Sequence, residues 1–160
     1  PGMKTLDVGA NIGYFSGLFA NRATQTGKVY AFEPHPKLFE ALRLNTSSYP
    51  QCERHPIALS KQAGQLKLYV PIDFLGNEGT ASLEPQAGAE AVDVPTERLD
   101  NLFSVKGGRS EVKTSEVPSA FDVMKIDVEG HELSVFKGGI KTLEGLTHVV
   151  LEDFEGPRSK

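Results

Sequence analysis

Apolar and polar positions follow two rhythms along the chain, one of short runs and one of helical spacing. Leu6-Asp7-Val8, behind Lys4-Thr5 and stopped by Gly9, reads as a buried strand. Ile12, Phe15, Leu18 and Phe19 recur at helical spacing and predict a helix ending near Asn21 and the Gly27 turn. Val29-Tyr30-Ala31-Phe32 predicts a second strand, stopped at Glu33-Pro34. Pro36 suits a first helical position, and Leu38, Phe39 and Leu42 carry that helix to about Ser47. Ile57-Ala58-Leu59 predicts a third strand, and Leu66-Lys67-Leu68-Tyr69-Val70 alternates as a half-exposed fourth. Val92-Asp93-Val94 predicts another strand, and Leu99, Leu102 and Phe103 a short helix. Phe121 to Asp127 reads as a strand. Leu133, Phe136, Ile140 and Leu143 form a helical stripe broken at Gly138-Gly139, and His148 to Glu152 is a last strand. Residues 71–91 and 104–119 are long polar stretches, of the kind that often serve as lids or binding loops.

Strands alternate with helices, and several strands are apolar on both faces. That pattern predicts an α/β sandwich, a mostly parallel sheet with helices on both faces. In such sheets ligands sit at the carboxyl ends of the strands, near a switch in strand order. The residues just after each strand are therefore the ones to inspect.

Composition narrows the classes. The 160 residues are 39% hydrophobic and 24% charged, an ordinary globular balance for one domain. The charges, 17 basic against 21 acidic, give a net −4, with no basic stripe for a nucleic acid or an anionic membrane. No apolar run approaches the roughly 20 residues of a membrane span. The single cysteine, Cys52, excludes an internal disulfide framework and fits a reducing, cytoplasmic setting. The chain enters a strand almost at Pro1 and stops just after one, so both ends read as cuts in a longer chain.

After the first strand comes Asp7-Val8-Gly9-Ala10-Asn11-Ile12-Gly13. Glycines at 9 and 13 allow a sharp turn and close approach of a ligand. The helix opening near Gly13 offers free N–H groups. Asn11 occupies the middle position where the dinucleotide fingerprint has glycine, which weakens a pyrophosphate reading. Glu33 ends the second strand, 20 residues beyond Gly13, where an acid can accept both hydroxyls of a ribose. Turn and acid together point to a nucleoside. The alternatives are a plain strand-to-helix turn and a solvated carboxylate.

Asp7 to Gly13, Glu33-Pro34 and Lys125-Ile126-Asp127-Val128-Glu129-Gly130-His131-Glu132 together resemble the FkbM-type family of S-adenosylmethionine-dependent methyltransferases. Asn77-x-Gly79 with Ser82, and Val94-Pro95-Thr96-x-Arg98-Leu99-Asp100, resemble it too. The resemblance implies the Rossmann-like class I methyltransferase sandwich and S-adenosyl-L-methionine as cofactor. It implies methylation of hydroxyl oxygens on sugars, glycolipids or polyketide-type metabolites, so a small-molecule or glycan acceptor. That fold continues past its fifth strand into a helix and a β-hairpin; little follows Glu152, so the terminal hairpin is expected to be absent. By resemblance, Gly9, Ala10, Asn11 and Gly13 hold the methionine part and Glu33 the ribose. Asp7 orients the turn or the cofactor's amino group. Ala58 flanks the adenine, with Pro34 and His35 on the other side.

Asp127, Glu129, His131 and Glu132 cluster after the fourth core strand. Asp127 is the leading active-site candidate, where cofactor and acceptor should meet. His131, with an unperturbed pKa near 6.5, is the leading general base. Glu129 and Glu132 are expected on neighbouring positions of one helix, and acids in a first helical turn are also a plain dipole preference. Lys125 lies inside an apolar strand, facing the same way as Asp127. A buried lysine needs a partner, and Glu152 on the next strand is the expected one. Asp127, Glu152 and Asp153 also offer hard oxygens for Mg²⁺, a ligand set that the resemblance does not require. The competing functional readings are a non-catalytic cofactor-binding domain, a nicotinamide-dependent oxidoreductase and a nucleic-acid methyltransferase.

Overall fold

The computed structural model describes residues 1–71, 89–103 and 120–151. Five strands lie parallel in one sheet: β1 (Lys4–Val8), β2 (Lys28–Phe32), β3 (Cys52–His55), β7 (Val123–Ile126) and β8 (His148–Leu151). Their order across the sheet is β3-β2-β1-β7-β8. Strand order therefore reverses between β1 and β7, and a ligand crevice is expected at their carboxyl ends. Helix α1 (Tyr14–Ala23) joins β1 to β2, α2 (Pro36–Asn45) joins β2 to β3, and α4 (Glu132–Gly138) follows β7.

The residues between β3 and β7 build a second sheet. Its strands are β4 (Ala58–Leu59), β5 (Gly64–Pro71) and β6 (Ala89–Glu97), in the order β4-β6-β5, followed by the short helix α3 (Leu99–Leu102). β5 and β6 are antiparallel. The strands expected around Leu66 and Val92 thus form a separate ribbon outside the main sheet.

Period-two alternation gives the parallel sheet two apolar faces. Leu6, Val8, Tyr30, Phe32, Met124 and Ile126 face one core with Leu59, Leu99, Phe103, Phe121 and Val135. There Tyr30, Phe103 and Phe121 meet edge to face with centroids 4.9–5.8 Å apart. Val29, Ala31 and Cys52 face the other core with Ala10, Ala20 and Leu42.

The apolar stripe of α1 differs from the helical-spacing expectation. Ile12, Phe15 and Leu18 are exposed, and the buried face is Ser16, Ala20 and Ala23. Small side chains let the helix lie close to the sheet; of the expected stripe Phe19 packs against that core, while Ile12, Phe15 and Leu18 turn outward. In α4 the buried residues are Val135 and Gly138, while Leu133 is exposed, as is Ile140 just beyond the helix. β3 reads Cys-Glu-Arg-His and carried no apolar signal; parallel pairing with β2 makes it a strand. The expected motif residues Asn77, Gly79 and Ser82, the bulk of both long polar stretches, and residues 152–160 lie outside the described residues.

Candidate functional site

The turn after β1 is pinned to the end of β2. Gly9 N and Ala10 N both donate to the Phe32 carbonyl, at 3.0 and 2.9 Å. Gly9 has φ 76°, and a Cβ there would collide with the Asp127 carbonyl oxygen. Glycine is thus required twice, by backbone conformation and by the approach of the β7 exit. Asn11 also sits at positive φ, 52°, and its Oδ1 accepts from Ile12 N at 2.7 Å. Asparagine tolerates that conformation by bonding its own backbone. Gly13 has φ 91° and caps the amino end of α1 against Leu42.

Glu33 bolts this turn to the β2 exit. Its Oε2 accepts from Asn11 N and its Oε1 from His35 N, both at 2.8 Å. Only 5% of the residue is exposed. Burial pushes its carboxyl up to about 7, against the two backbone donors, which pull it down. Each oxygen still has acceptor capacity for a further donor. His35 caps α2, its Nδ1 accepting from Leu38 N at 3.4 Å.

A second polar cluster lies under the same turn. The parallel register sets Asp7 beside Lys125, on the face covered by α1. Lys125 Nζ donates to the Gly9 carbonyl at 2.8 Å and to Asp127 Oδ2 at 3.3 Å, and lies 3.7 Å from Asp7 Oδ1. The Phe15 ring centroid is 5.4 Å from the same ammonium. Ser16 Oγ donates to Asp7 Oδ2 at 2.6 Å. Asp7 is fully buried, and burial pushes its carboxyl above the ordinary value; Lys125 and Ser16 pull the other way. So the lysine that stood out in an apolar strand finds its partners across the sheet, in the β1 turn. The expected partner, Glu152, lies outside the described residues, as does Asp153 of the candidate magnesium set. Among the described residues no group of three or more His, Cys, Asp or Glu side chains converges as a metal site.

These elements border one cleft, open to solvent at the carboxyl ends of β1, β2 and β7. Asn11, Glu33, Asp127 and Glu129 are its polar lining, and Val8, Phe32, Leu38, Ile57, Ala58, Leu59, Leu68 and Val128 its apolar lining, with Gly9 and Pro34 between them in the chain turns. Of the candidate residues, Gly9, Asn11, Glu33, Pro34, Ala58, Asp127 and Glu129 line the cleft. Asp7, Ala10, Gly13, Lys125 and His131 stand behind or beside the lining. His131 Nε2 is 3.1 Å from Ser60 Oγ. Glu129 has φ 48° and precedes α4, which begins at Glu132, so the two acids do not share a helix as expected. Glu132 instead folds back, accepting from Val128 N and Gly130 N at 3.3 and 3.2 Å.

Sequence reasoning missed Ser16, Ile57 and Leu68. The hydroxyl of Ser16 sits within an apolar helical pattern, and Leu68 comes from a strand distant in sequence. A buried acceptor with spare capacity beside an apolar wall suits a nucleoside: hydroxyls for the carboxylate, an aromatic base for the wall.

The family described as the methyltransferase FkbM domain matches residues 7–157. The chain belongs to this family. The hexuronic acid methyltransferase AglP of Haloferax volcanii is 30% identical over 154 residues, covering 94% of this chain and 55% of that protein. Methyltransferase sdnD of Sordaria araneosa is 29% identical, covering 94% and 66%. The 31-O-demethyl-FK506 methyltransferase FkbM of Streptomyces tacrolimicus is 32% identical, covering 86% and 60%. The chain thus spans 55–66% of the length of these relatives. Methyltransferases of the FkbM family typically use S-adenosylmethionine. No described helix is long and apolar enough to cross a membrane.

Proposed function

We propose that this chain is the cofactor-binding and catalytic domain of an S-adenosylmethionine-dependent O-methyltransferase. Its acceptor is a hydroxyl on a sugar, glycolipid or secondary metabolite. The observation that carries the cofactor reading is Glu33, a buried carboxylate at the end of β2 that opens on the same cleft as Gly9, Asn11 and Asp127. The relative named 31-O-demethyl-FK506 methyltransferase supports oxygen as the target, and the one named for a hexuronic acid supports a sugar as acceptor.

When bound, S-adenosylmethionine supplies a methyl group on a positively charged sulfur, already activated for in-line displacement. The protein's task is mainly alignment, which can contribute about 7–11 kcal/mol. The Gly9–Gly13 turn, its own N–H groups tied to Phe32, Glu33, Asn11 and Ala10, is a rigid floor that leaves room for close approach at Gly9. Glu33 holds the ribose hydroxyls. Lys125 holds the Gly9 carbonyl and Asp127 in fixed relation, so the cofactor turn and the β7 exit cannot drift apart. The acceptor hydroxyl must lose a proton as its oxygen bonds to the methyl carbon. Asp127 is our first choice to take it, because it lines the cleft beside Gly9. His131 is the alternative base, held by Ser60 at the start of the next turn of chain.

Acceptor screening with methyl-labelled cofactor tests the proposal. Labelled product from a hydroxylated acceptor supports it, and Asp127→Asn should then lower turnover by about 10²–10⁴-fold, the usual worth of a general base. Cofactor binding with no product from any sugar, glycolipid or polyol acceptor would leave a binding domain, and the catalytic half of the proposal would fail.

A further inference from the structure

The cleft draws its lining from both sheets. The ends of β1, β2 and β7 supply Asn11, Glu33 and Asp127 together with apolar Val8, Phe32 and Val128. Leu68 of β5 joins them from the second sheet, from the far side of β6. Leu68 sits opposite Val92 in the antiparallel register and packs with Ala58, Val70 and Val94. It is 4% exposed, so packing fixes its position.

We propose that Leu68 walls the base end of the cleft and sets which ring substituents a bound nucleoside can carry. This rests on the nucleoside reading above and deepens it. A planar base offers an apolar face and an edge of fixed outline. A leucine held by its neighbours cannot move aside for an added methyl group. In a rigid apolar pocket one methylene changes binding by roughly 10–200-fold. The ribbon β5–β6 therefore acts as part of the cofactor site and decides its tolerance for substituted bases. Ala58, on β4, supports Leu68 from the same sheet.

The test is titration of S-adenosylhomocysteine and its 2-methyl, 8-methyl and N6-methyl forms into wild type, Leu68→Ala and Leu68→Met. Wild type is expected to bind the parent and to reject at least one methylated form by about tenfold or more. Leu68→Ala should recover that form by about tenfold relative to the parent, a gain that loss of core packing cannot produce. Leu68→Met, similar in volume, should keep the wild-type order. Leu68→Val carries the same test if thermal unfolding shows the alanine variant to be unfolded. Wild type that accepts every methylated form, or folded Leu68→Ala and Leu68→Val that keep the wild-type order, overturns the role of Leu68 alone. Wild type that is folded and binds no S-adenosylhomocysteine overturns the nucleoside reading and this inference with it.

Discussion

Lys125→Met removes one charge and keeps most of the apolar stem. Its consequence follows from Asp7, which is fully buried and lies 3.7 Å from the ammonium. At an effective dielectric near 20, opposite charges that far apart attract by about 4 kcal/mol. Breaking a buried pair by removing one partner typically costs about 3–5 kcal/mol, because the remaining charge is stranded. Lys125→Met is therefore expected to destabilise the fold by about 3 kcal/mol at pH 7. The sign of its pH dependence is fixed. Burial already raises the Asp7 carboxyl, and losing Lys125 raises it further. Above the unfolded carboxylate range the folded variant then holds more protons than the unfolded chain, so its stability falls as pH rises. The deficit should be larger at pH 7 than at pH 5. Urea unfolding of wild type, Lys125→Met, Asp7→Asn and the double variant at both pH values measures it. The double variant should be less destabilised than the sum of the singles, with a coupling of about 1–3 kcal/mol. A single variant within about 0.5 kcal/mol of wild type and no coupling would refute the reasoning.

Three further outcomes follow from the same geometry. Glu33, raised to about 7 from 4.5, leaves the unliganded fold holding an extra proton between those values. Stability should therefore fall by about 3 kcal/mol as pH rises through that window, and affinity for S-adenosylhomocysteine should rise with pH up to about 7; Glu33→Gln should flatten both profiles in melting and calorimetry. His55, lowered to about 4 from 6.5 by burial, has the opposite sign. The unfolded chain takes up the proton first, so stability is lost as pH falls from 6.5 to 4, and acid melts of His55→Gln should show a shallower decline. Gly9→Ala places a methyl against the Asp127 carbonyl at φ 76°, and chemical unfolding should show a loss of about 3 kcal/mol or more.

Much of this arrangement was legible in the residues. Short apolar runs ended by Gly9 and by Glu33-Pro34 announce strand ends, and strand ends are where parallel sheets place ligands. Glu33 and Asp127 were found that way. What escaped was set by tertiary pairing. The polar strand Cys52–His55 exists because β2 offers it a parallel neighbour. The exposed Phe15 and Leu18 mimic a core stripe, whereas α1 packs through Ser16, Ala20 and Ala23. Lys125 announced a buried charge, but its neighbours across the sheet depend on strand order, which one sequence does not state. Leu68 looked like one position in a half-exposed strand, and only the ribbon's path brings it to the cleft.

The decisive measurement is calorimetric titration of S-adenosylmethionine and S-adenosylhomocysteine into wild type and Glu33→Ala, each checked for folding by circular dichroism. Saturable binding, weakened about tenfold or more in the variant, equivalent to about 1.4 kcal/mol, is the expected result. Folded wild type that takes up neither compound, or a folded variant that binds both as tightly as wild type, would show that this cleft is not held together by Glu33 as a nucleoside site.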